Sequence, residues 1–418
     1  MALIEPFKGI LYNPQKIRGD DVMAPPYDII TTEFKEALYD RSPYNIVRID
    51  FGKDMPGDSD ADNKYIRAKG NLMQWTESGV LGRDETPYFY AYEADYSVFG
   101  KTEKLKGIIA LVKIDELGKG VYPHEATYSK PKADRLNLMR ACNANVSPIY
   151  ALYNSPERVA SGILDALGDN PWISARDADG AVHKISRIED FNVYESIIRE
   201  FSDKAIYIAD GHHRYEVAIE FKEEMRKKEN LRSNDNTLQP YDYVMMFLAN
   251  TQDDGISILP THRLIKGFSE SSQIFDKVGG YFEISTVPFE NDIREVLAVK
   301  GKNAIGLYVR KDMKWYILRY RGGDLADIHP ALNSLDVVLL HELIFKRSLG
   351  ITDFAYEMNP YEALKMVQSG EYGAAFFLNP TKVEDVEKAA LANMRMPPKS
   401  TYFYPKLLTG LVINSFNK

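Results

Sequence analysis

The sequence has few of the residues that build disulfides, thiolate metal sites or membrane anchors. Among its 418 residues Cys142 is the one cysteine, so neither an intrachain disulfide nor a thiolate zinc site can form. A single free thiol is typical of the reducing cytoplasm. The longest apolar runs, such as 244–249 and 337–340, fall well short of the roughly 18 residues that a membrane span needs, and the start of the chain has no signal-peptide pattern. We expect a cytoplasmic protein without a membrane segment.

Several common catalytic motifs are also missing. The sequence has neither a Walker loop, G-x-x-x-x-G-K-[ST], nor G-x-G-x-x-G. It lacks the G-x-S-x-G elbow of serine hydrolases, and His341-Glu342 has no second histidine four residues on to complete a zinc-hydrolase pair. These absences disfavour the common nucleotide-binding folds, Ser-His-Asp hydrolases and zinc hydrolases.

Negative charge predominates over positive charge. The chain has 60 Asp and Glu against 52 Lys and Arg, which gives a formal net charge of −8 and an isoelectric point near 5.6. Domains that bind nucleic acid usually have an isoelectric point above about 9 or a basic stripe, so we expect no nucleic-acid partner. The apolar content of 44% is that of a globular protein, and the length suits two or three domains.

Strand and helix patterns alternate along the chain, which predicts a mixed α/β (α+β) fold. Helices are predicted over 63–78, 156–167, 193–201, 213–228 and 335–349. Strand pairs are predicted for 88–94 with 105–114, for 243–248 with 256–259, and for 304–310 with 314–321. Asp28 and Thr381 are the predicted N-caps of the helices that follow them. A stretch rich in Ser and Gly near 268–280 predicts a division into regions 1–270 and 271–418.

The sharpest local signal is the segment Asp210-Gly211-His212-His213-Arg214, between a predicted strand and a predicted helix. Glycine permits a tight turn or a positive φ, and the N–H groups of a helix N-terminus attract anions. Arg214 adds a forked, permanently charged donor. His212 and His213 supply donors, or bases near neutral pH, and Asp210 could hold Mg²⁺ through oxygen. Together these residue types predict a site for nucleotide phosphates.

Each of these residues also has a purely structural interpretation. Asp210 could be the N-cap of the helix, one histidine could be a packed core residue, and Arg214 could pair with Glu216 or Glu220. We favour function because composition alone seldom places this set of residues at a strand-to-helix turn.

A second candidate cluster is His124-Glu125. Glu125 could take the proton from a substrate hydroxyl, and His124 could bind phosphate. The basic residues Lys130, Lys132 and Arg135 follow closely and favour an anionic ligand. The same residues could instead form a solvated basic loop in which Glu125 is salt-bridged.

Two further segments, each next to a predicted strand or turn, contain candidate ligand-binding residues. Two prolines make 24–28 rigid, so that Asp28 could face a ligand as well as cap a helix. His262 and Arg263 follow a strand and could contact an anion, or form a polar strand edge.

Near the end of the chain, a loop carries the last candidates. Lys399, Ser400 and Thr401 could touch a phosphate, with the tail closing over a site. The alternative is a C-terminal strand that packs onto the core, with Lys399 solvated.

The turn at 210–214 resembles the phosphate-binding turn of the ParB/sulfiredoxin superfamily, and is closest to the branch of SerK-like free-serine kinases. The chain resembles one large bacterial and archaeal family, a domain of unknown function, nearly from end to end. The matching segments are 24–30, 42–45, 123–127, 130–136, 260–263 and 399–406.

The resemblance implies a ParB/sulfiredoxin-like nucleotide-binding core with additional α+β regions. Sulfiredoxin-like members carry a reactive cysteine in this turn, where the sequence has Gly211, so sulfinic-acid reduction is not expected. ParB-like nucleotide binders contact phosphate through the turn's arginine, here Arg214. The kinases use the turn's acid, here Asp210, in phosphoryl transfer, together with a separate glutamate base that has no unique counterpart here. Glu125, or else Asp28, is the predicted base.

We therefore predict a kinase that uses Mg²⁺ and ATP or ADP, with CTP as a further option. Its partners would be the nucleotide and a small hydroxylated metabolite, with free L-serine as the best match, and a homo-oligomer stays open. The predicted catalytic residues are Asp210, which is also the predicted metal ligand, Glu125 and His213. The predicted nucleotide-binding residues are Gly211, His212, Arg214, His124, Lys399, Ser400, Thr401, His262 and Arg263. The alternatives are a ParB-like nucleotide-binding regulator without turnover and a scaffold protein.

Overall fold

A computed structural model describes residues 2–125, 129–231, 237–323 and 325–417 of the chain. Its strands are β1 (Ile4–Glu5), β2 (Ile10–Tyr12), β3 (Leu81–Arg83), β4 (Tyr90–Val98), β5 (Lys101–Lys113), β6 (Val121–Tyr122), β7 (Ala144–Asn145), β8 (Ile149–Tyr153), β9 (Ile173–Arg176), β10 (Val182–Arg187), β11 (Ile206–Asp210), β12 (Tyr243–Asn250), β13 (Ser257–Leu259), β14 (His262–Ile265), β15 (Phe282–Val287), β16 (Ala304–Val309), β17 (Lys314–Tyr320), β18 (Ala355–Glu357), β19 (Ala374–Phe377), β20 (Tyr402–Tyr404) and β21 (Asn414–Ser415).

The helices alternate with these strands. They are α1 (Gly19–Val22), α2 (Thr32–Arg41), α3 (Val47–Asp50), α4 (Lys64–Glu77), α5 (Ser129–Cys142), α6 (Val159–Ala166), α7 (Tyr194–Phe201), α8 (His212–Lys228), α9 (Ser272–Val278), α10 (Ile293–Lys300), α11 (Asp336–Val338), α12 (Pro360–Gln368) and α13 (Val383–Leu391). A π-helix, Leu339–Leu349, continues α11, and 3₁₀ turns occupy Tyr27–Ile29, Phe191–Val193 and Pro240–Asp242. None of the helices in the described ranges combines the length and apolar composition that a bilayer crossing requires. The predicted mixed α/β fold is confirmed.

The chain forms two compact units. The first comprises Met1–Tyr122, Thr127–Ile256 and Pro405–Lys418, and the second comprises Pro123–Ala126 and Ser257–Tyr404. Both units are assembled from separate stretches of the chain, whereas the predicted regions 1–270 and 271–418 are each continuous. β13 pairs with β20, and β21 pairs with β7. Pairings between segments so far apart in sequence leave no trace in local composition.

The first unit is built on one mixed sheet of nine strands in its described part. Their order is β6-β11-β8-β12-β5-β4-β10-β9, with β1 paired to β5. β12 is buried at every residue because it lies mid-sheet, parallel to β8 and antiparallel to β5. One face of the sheet packs against helices α5, α6, α7 and α8 and forms a single apolar core with them. Tyr215 and Phe221 of α8 belong to this core. At the end of β11, Asp210 lies opposite Tyr150 of β8.

The second unit contains a six-stranded sheet in the order β15-β17-β16-β19-β14-β18. β14 lies between β19 and β18, antiparallel to both, and every residue of it is buried. Side chains of α10 and α12 cover one face together with Trp315 and Phe377. The π-helix contributes Phe345, whose ring packs on Phe376 with centroids 5.3 Å apart.

Most of the longer predicted elements are confirmed, including α4, α8 and the pairing of β16 with β17. The predicted pairing of 243–248 with 256–259 is wrong, because the backbone of β12 is already engaged by β5 and β8.

Two predicted caps are also wrong. Asp28 lies in a 3₁₀ turn, and Thr31 caps α2 by accepting from the Phe34 N–H at 3.2 Å. Thr381 donates its hydroxyl to the carbonyl of Ser400 at 2.9 Å and does not cap α13.

Candidate functional site

The 210–214 segment forms the strand, turn and helix start that the sequence predicts. β11 ends at Asp210 and α8 begins at His212. Gly211 has φ 97° and ψ 27°, a left-handed conformation that favours glycine. The cap residue is therefore this glycine and not Asp210, so no cap side chain hydrogen-bonds to the helix end. The N–H groups of a first helical turn point out of the helix end, where they can meet an anion.

Arg214 lies directly over the glycine. A Cβ at Gly211 would lie 2.9 Å from both Nε and Nη2 of Arg214, so a side chain there would displace the guanidinium. Its Nη1 donates to the carbonyl of Pro148 and to Ser147 Oγ at 3.3 Å. Its Nη2 donates to Asp210 Oδ2 at 2.8 Å. The guanidinium is therefore held at a fixed place beside the turn.

Asp210 has a second cationic partner, Lys406, which sequence reasoning missed. Lys406 Nζ donates to Asp210 Oδ1 at 2.6 Å, and none of the side chains of Asp210, Lys406 and Arg214 is more than 18% exposed. Burial opposes ionisation of Asp210, but the charges of Lys406 and Arg214 outweigh it and hold the pKa of the carboxyl well below its usual value. Two cations share one carboxylate, so the cluster has an excess of positive charge.

This arrangement does not fit Asp210 as a direct Mg²⁺ ligand. Both carboxylate oxygens already accept from cations, and those cations would repel a divalent ion. Among the described residues, there is no group of three or more His, Cys, Asp or Glu side chains that could hold a metal. Any Mg²⁺ at the turn would depend on the phosphates of a bound nucleotide, which commonly supply part of its coordination.

A second arginine, Arg135, lines the same small pocket as Arg214. The pocket also contains Asp50, Ser147 and a wall of apolar side chains. Arg135 Nη1 donates to Asp50 Oδ1 at 2.8 Å, and its Nη2 donates to Asp134 Oδ2 at 2.6 Å. Burial opposes the charge of Arg135, but the two carboxylates outweigh it and raise the pKa of the guanidinium. Arg135 is thus a buried cation that is fully paired.

The rigid segment 24–28 reaches this pocket region. Arg135 Cζ lies 4.0 Å from the centroid of the Tyr27 ring, a cation–π distance. Burial raises the pKa of Tyr27 to about 12, against the charges of Arg135 and Arg214. Two of the segments that carry the family resemblance, 24–30 and 130–136, therefore meet in the first unit. Asp28 itself is exposed.

The two histidines that follow Gly211 differ in their burial. His212 is buried and His213 is half-buried in the first turn of α8. Lys132 Nζ pairs with Glu216 Oε2 at 3.0 Å, and Arg214 pairs with Asp210. The side chain of Lys130 lies outside the described residues.

His124 and Glu125 lie in the second unit, together with Thr401. His124 Nε2 and Thr401 Oγ1 are 2.9 Å apart, and the Thr401 hydroxyl donates to Glu125 Oε1 at 3.2 Å. His124 is fully buried and Glu125 is 18% exposed. Two segments that the sequence selects separately thus form one polar cluster. Ala126 and Thr127, of the matching segment 123–127, lie outside the described residues.

Arg263 contacts the segment that holds Thr401. Its Nη2 donates to the carbonyls of Lys399, at 2.9 Å, and Pro398, at 3.3 Å. Lys399 has a positive φ of 57°, which is uncommon outside glycine. The predicted anion contacts of this segment stay predictions.

The predicted site residues divide between the two units. The first unit holds Asp210, Gly211, His212, His213 and Arg214, and the second holds His124, Glu125, His262, Arg263, Lys399, Ser400 and Thr401.

The sequence matches a family model described as "Protein of unknown function (DUF1015)" over residues 4–338. The chain belongs to the DUF1015 family. No curated protein matches it in sequence.

Solved structures show a low level of similarity to this DUF1015 chain. A free serine kinase in complex with AMP is 13% identical to this chain and has a TM-score of 0.34. The matched region covers 68% of this chain and 84% of the kinase chain. A conserved hypothetical protein from Pyrococcus furiosus is 14% identical, with coverages of 69% and 90% and a TM-score of 0.33. SbnI from Staphylococcus aureus, truncated at its C-terminus, is 10% identical, with coverages of 72% and 85% and a TM-score of 0.36. Similarity at this level leaves the activity to be inferred from the chain's own residues.

Proposed function

We propose that the turn at 210–214 binds the phosphates of a nucleotide, and that the protein transfers a phosphoryl group from it to a small hydroxylated metabolite. Free L-serine is the best candidate acceptor. The observation that carries the proposal is the buried cluster in which Lys406 and Arg214 share Asp210 at the start of α8. The resemblance of the turn to that of the free-serine kinases supports the choice of reaction.

The cluster suits phosphoryl transfer because that reaction depends mainly on positioning and on charge stabilisation. The excess positive charge of Lys406 and Arg214 and the N-terminus of α8 act on the same place in the chain. Asp210 is a positioning residue in this scheme. It fixes the ammonium of Lys406 and the guanidinium of Arg214 through hydrogen bonds of 2.6 and 2.8 Å.

Transfer of the phosphoryl group is a displacement at phosphorus. The acceptor hydroxyl oxygen forms a bond to the terminal phosphorus, while the bond from that phosphorus to the bridging oxygen of the nucleotide breaks. The bridging oxygen leaves with the nucleotide, and nearby cations stabilise its developing charge. The hydroxyl proton goes to a base, for which Glu125, His213 and Asp28 stay predictions.

A nucleotide-binding regulator without turnover is the second candidate. It uses the same cluster, in which Asp210 holds two cations in place, and it needs no catalytic base, a group for which the sequence has no unique counterpart. Such a protein would bind nucleotide through the same turn and leave it intact.

Phosphorus NMR on the full chain with Mg²⁺ and L-serine separates these candidates, with ATP, ADP or CTP in separate samples. We expect an O-phosphoserine signal with at least one donor. Asp210→Asn should abolish that signal and leave the fold intact, because Lys406 and Arg214 lose the group that fixes them. Asp203→Asn, which changes a carboxylate that is 68% exposed, is the matched control and should remain active.

Nucleotide binding without a new phosphorus signal would favour the regulator or a different acceptor. Full activity in Asp210→Asn would contradict the role given to Asp210. The absence of any nucleotide binding would contradict the proposal.

A further inference from the structure

The second unit contains a buried arginine that lacks a carboxylate partner among the described residues. Arg263 is 0% exposed, and its guanidinium donates to the backbone carbonyls of Thr261, Pro398 and Lys399. Its Nε has no hydrogen-bond partner in the described part of the chain. Burial lowers the pKa of Arg263 to about 10, and Glu125 opposes that shift without forming an ion pair with it. A buried cation without a counter-charge is costly for the folded state.

Other unpartnered polar atoms accompany Arg263. Thr261 Oγ1 and His341 Nε2 are buried and have no hydrogen-bond partner within the described ranges. Buried polar groups are nearly always hydrogen-bonded, so an unpartnered group calls for an explanation such as an absent ion or water. His262 Nε2, between Thr261 and Arg263 in the chain, is unpartnered as well within those ranges. Unpartnered atoms on three consecutive residues, with His341 close enough to feel the charge of Arg263, point to a polar group that belongs there.

Arg263 and His341 border the same aromatic layer. In the sheet, Arg263 lies opposite Tyr356 of β18, and its Cζ is 5.3 Å from the Tyr356 ring centroid. The Phe354 ring contacts both Tyr356 and His341, with centroids 5.4 and 5.1 Å apart. Burial, together with the charge of Arg263, lowers the pKa of His341 to about 3, so this histidine is neutral at physiological pH. A neutral imidazole can donate from Nε2.

We propose that this region of the second unit binds a small oxyanion, either a carboxylate or a phosphate group. Arg263 Nε is the principal donor, and Thr261 Oγ1 and His341 Nε2 are the accompanying donors. A bound anion would neutralise the arginine and would give the unpartnered donors a partner, and charge-assisted bonds of this kind are the strong ones. A water molecule could satisfy the hydrogen bonds but would leave the charge uncompensated.

Backbone carbonyls hold one end of the Arg263 guanidinium and leave the other end unpartnered. The carbonyls of Pro398 and Lys399 accept from its Nη2, whereas its Nε has no partner among the described residues. Lys399 has a left-handed backbone, and such strain in a residue other than glycine is often found at ligand clamps. The proposal does not rest on nucleotide binding by the first unit.

Calorimetric titration of the full chain without nucleotide tests the proposal. Inorganic phosphate and acetate are titrated separately, in an Arg214→Met background that removes the arginine of the first-unit turn. We expect one of the two anions to bind, and Arg263→Met to weaken that binding at least about tenfold, the effect of losing one charged hydrogen bond. Arg294→Met, which changes a half-exposed arginine paired with Asp292, is the control and should bind as before.

The identity of the anion that binds distinguishes a phosphate group from a carboxylate. If Arg263→Met fails to fold, His341→Phe decides, because it removes a donor and keeps both Arg263 and the aromatic layer. We expect weaker binding in that variant too. No binding of either anion, or equal affinity with and without the Arg263 or His341 side chain, would overturn the proposal and leave Arg263 as a purely structural clamp.

Discussion

The two units bury arginines in opposite ways. In the first unit, Arg135 is paired with Asp50 and Asp134, and Arg214 is paired with Asp210. In the second unit, Arg263 is more deeply buried than either, but backbone carbonyls are its partners within the described residues. Burial lowers the guanidinium pKa in both units. At Arg135 the neighbouring carboxylates outweigh burial and the pKa is raised, whereas at Arg263 burial is the larger effect and the pKa falls to about 10.

This difference shows that burial alone does not indicate whether an arginine has a structural role or binds a ligand. A buried arginine with carboxylates is an internally compensated part of the fold, and it can also place charge beside a ligand. A buried arginine without a carboxylate keeps uncompensated charge, which a ligand can neutralise. Four substitutions test this difference between the two units.

The largest effect should come from Arg135→Met. It leaves Asp50, which is 3% exposed, as a buried charge without its partner, so we expect the free energy of unfolding to fall by about 3–5 kcal/mol. Urea denaturation measures it. Adding Asp50→Asn should recover part of the loss, because the unpaired charge is then gone. A loss below about 1 kcal/mol would be that of an exposed pair and would contradict the pairing assigned here.

Gly211→Ala should cause the second-largest loss of folding stability. The new Cβ would lie 2.9 Å from the Arg214 guanidinium, at a φ of 97°, and strain of this kind costs about 1–3 kcal/mol. Gly168→Ala is the matched control, since a Cβ there meets nothing within 4 Å and the backbone is not left-handed. Thermal or urea unfolding of both variants is the measurement. Equal stabilities would mean that the turn does not need glycine.

Arg263→Met should destabilise the protein less than Arg135→Met does. It leaves backbone carbonyls without a donor, but it leaves no unpaired carboxylate and also removes a buried charge that is costly for the folded state, so we expect a loss of at most about 1–2 kcal/mol. The comparison of the two arginine variants in urea is direct, because the substitution is the same. A loss at Arg263 as large as that at Arg135 would remove the distinction between the two units.

His262, the neighbour of Arg263, should make stability depend on acid. Its Nδ1 accepts from the Leu378 N–H at 3.3 Å, and burial, with the charge of Arg263, lowers its pKa to about 3. The unfolded chain takes up the proton near the ordinary histidine pKa of about 6.5, and the folded chain does not. Stability is therefore unaffected above that pH and falls by about 1.4 kcal/mol per pH unit as the pH drops from 6.5 towards 3.

The difference between wild type and His262→Gln isolates this contribution from other titrating groups. Urea denaturation at about pH 7 and about pH 5 should show a stability difference that changes with pH in the expected direction. A difference that is the same at both values would mean that His262 is not buried as a neutral group.

The parts of the site that are continuous in sequence could be predicted, and the parts assembled across the fold could not. The 210–214 turn combines a strand end, a glycine and a helix start within a few residues, so local pattern suffices. Lys406 is separated from Asp210 by 196 residues, and nothing local marks it among the lysines of the tail. Its place inside the matching segment 399–406 was the available signal, and it was not enough to assign a role.

Long-range pairing also explains the errors in the fold. The segment 256–259 has the pattern and the turn of a hairpin partner for β12, yet β5 and β8 occupy that position. Thr381 is of a residue type that often caps helices, but its hydroxyl donates a hydrogen bond to the carbonyl of Ser400. In both cases a tertiary partner displaced the local one. The unpartnered atoms around Arg263 are equally invisible in the sequence, because they depend on which groups the fold leaves without a hydrogen bond.

Calorimetry of nucleotide binding to Arg214→Met and to wild type shows whether the 210–214 turn binds phosphate. The matched control is Arg199→Met, which removes an arginine that is 76% exposed and paired within α7. We expect wild type and the control to bind a nucleoside di- or triphosphate with the same affinity, and Arg214→Met to bind it at least about tenfold more weakly. Equal affinity in all three proteins would contradict the assignment of the 210–214 turn as the phosphate site.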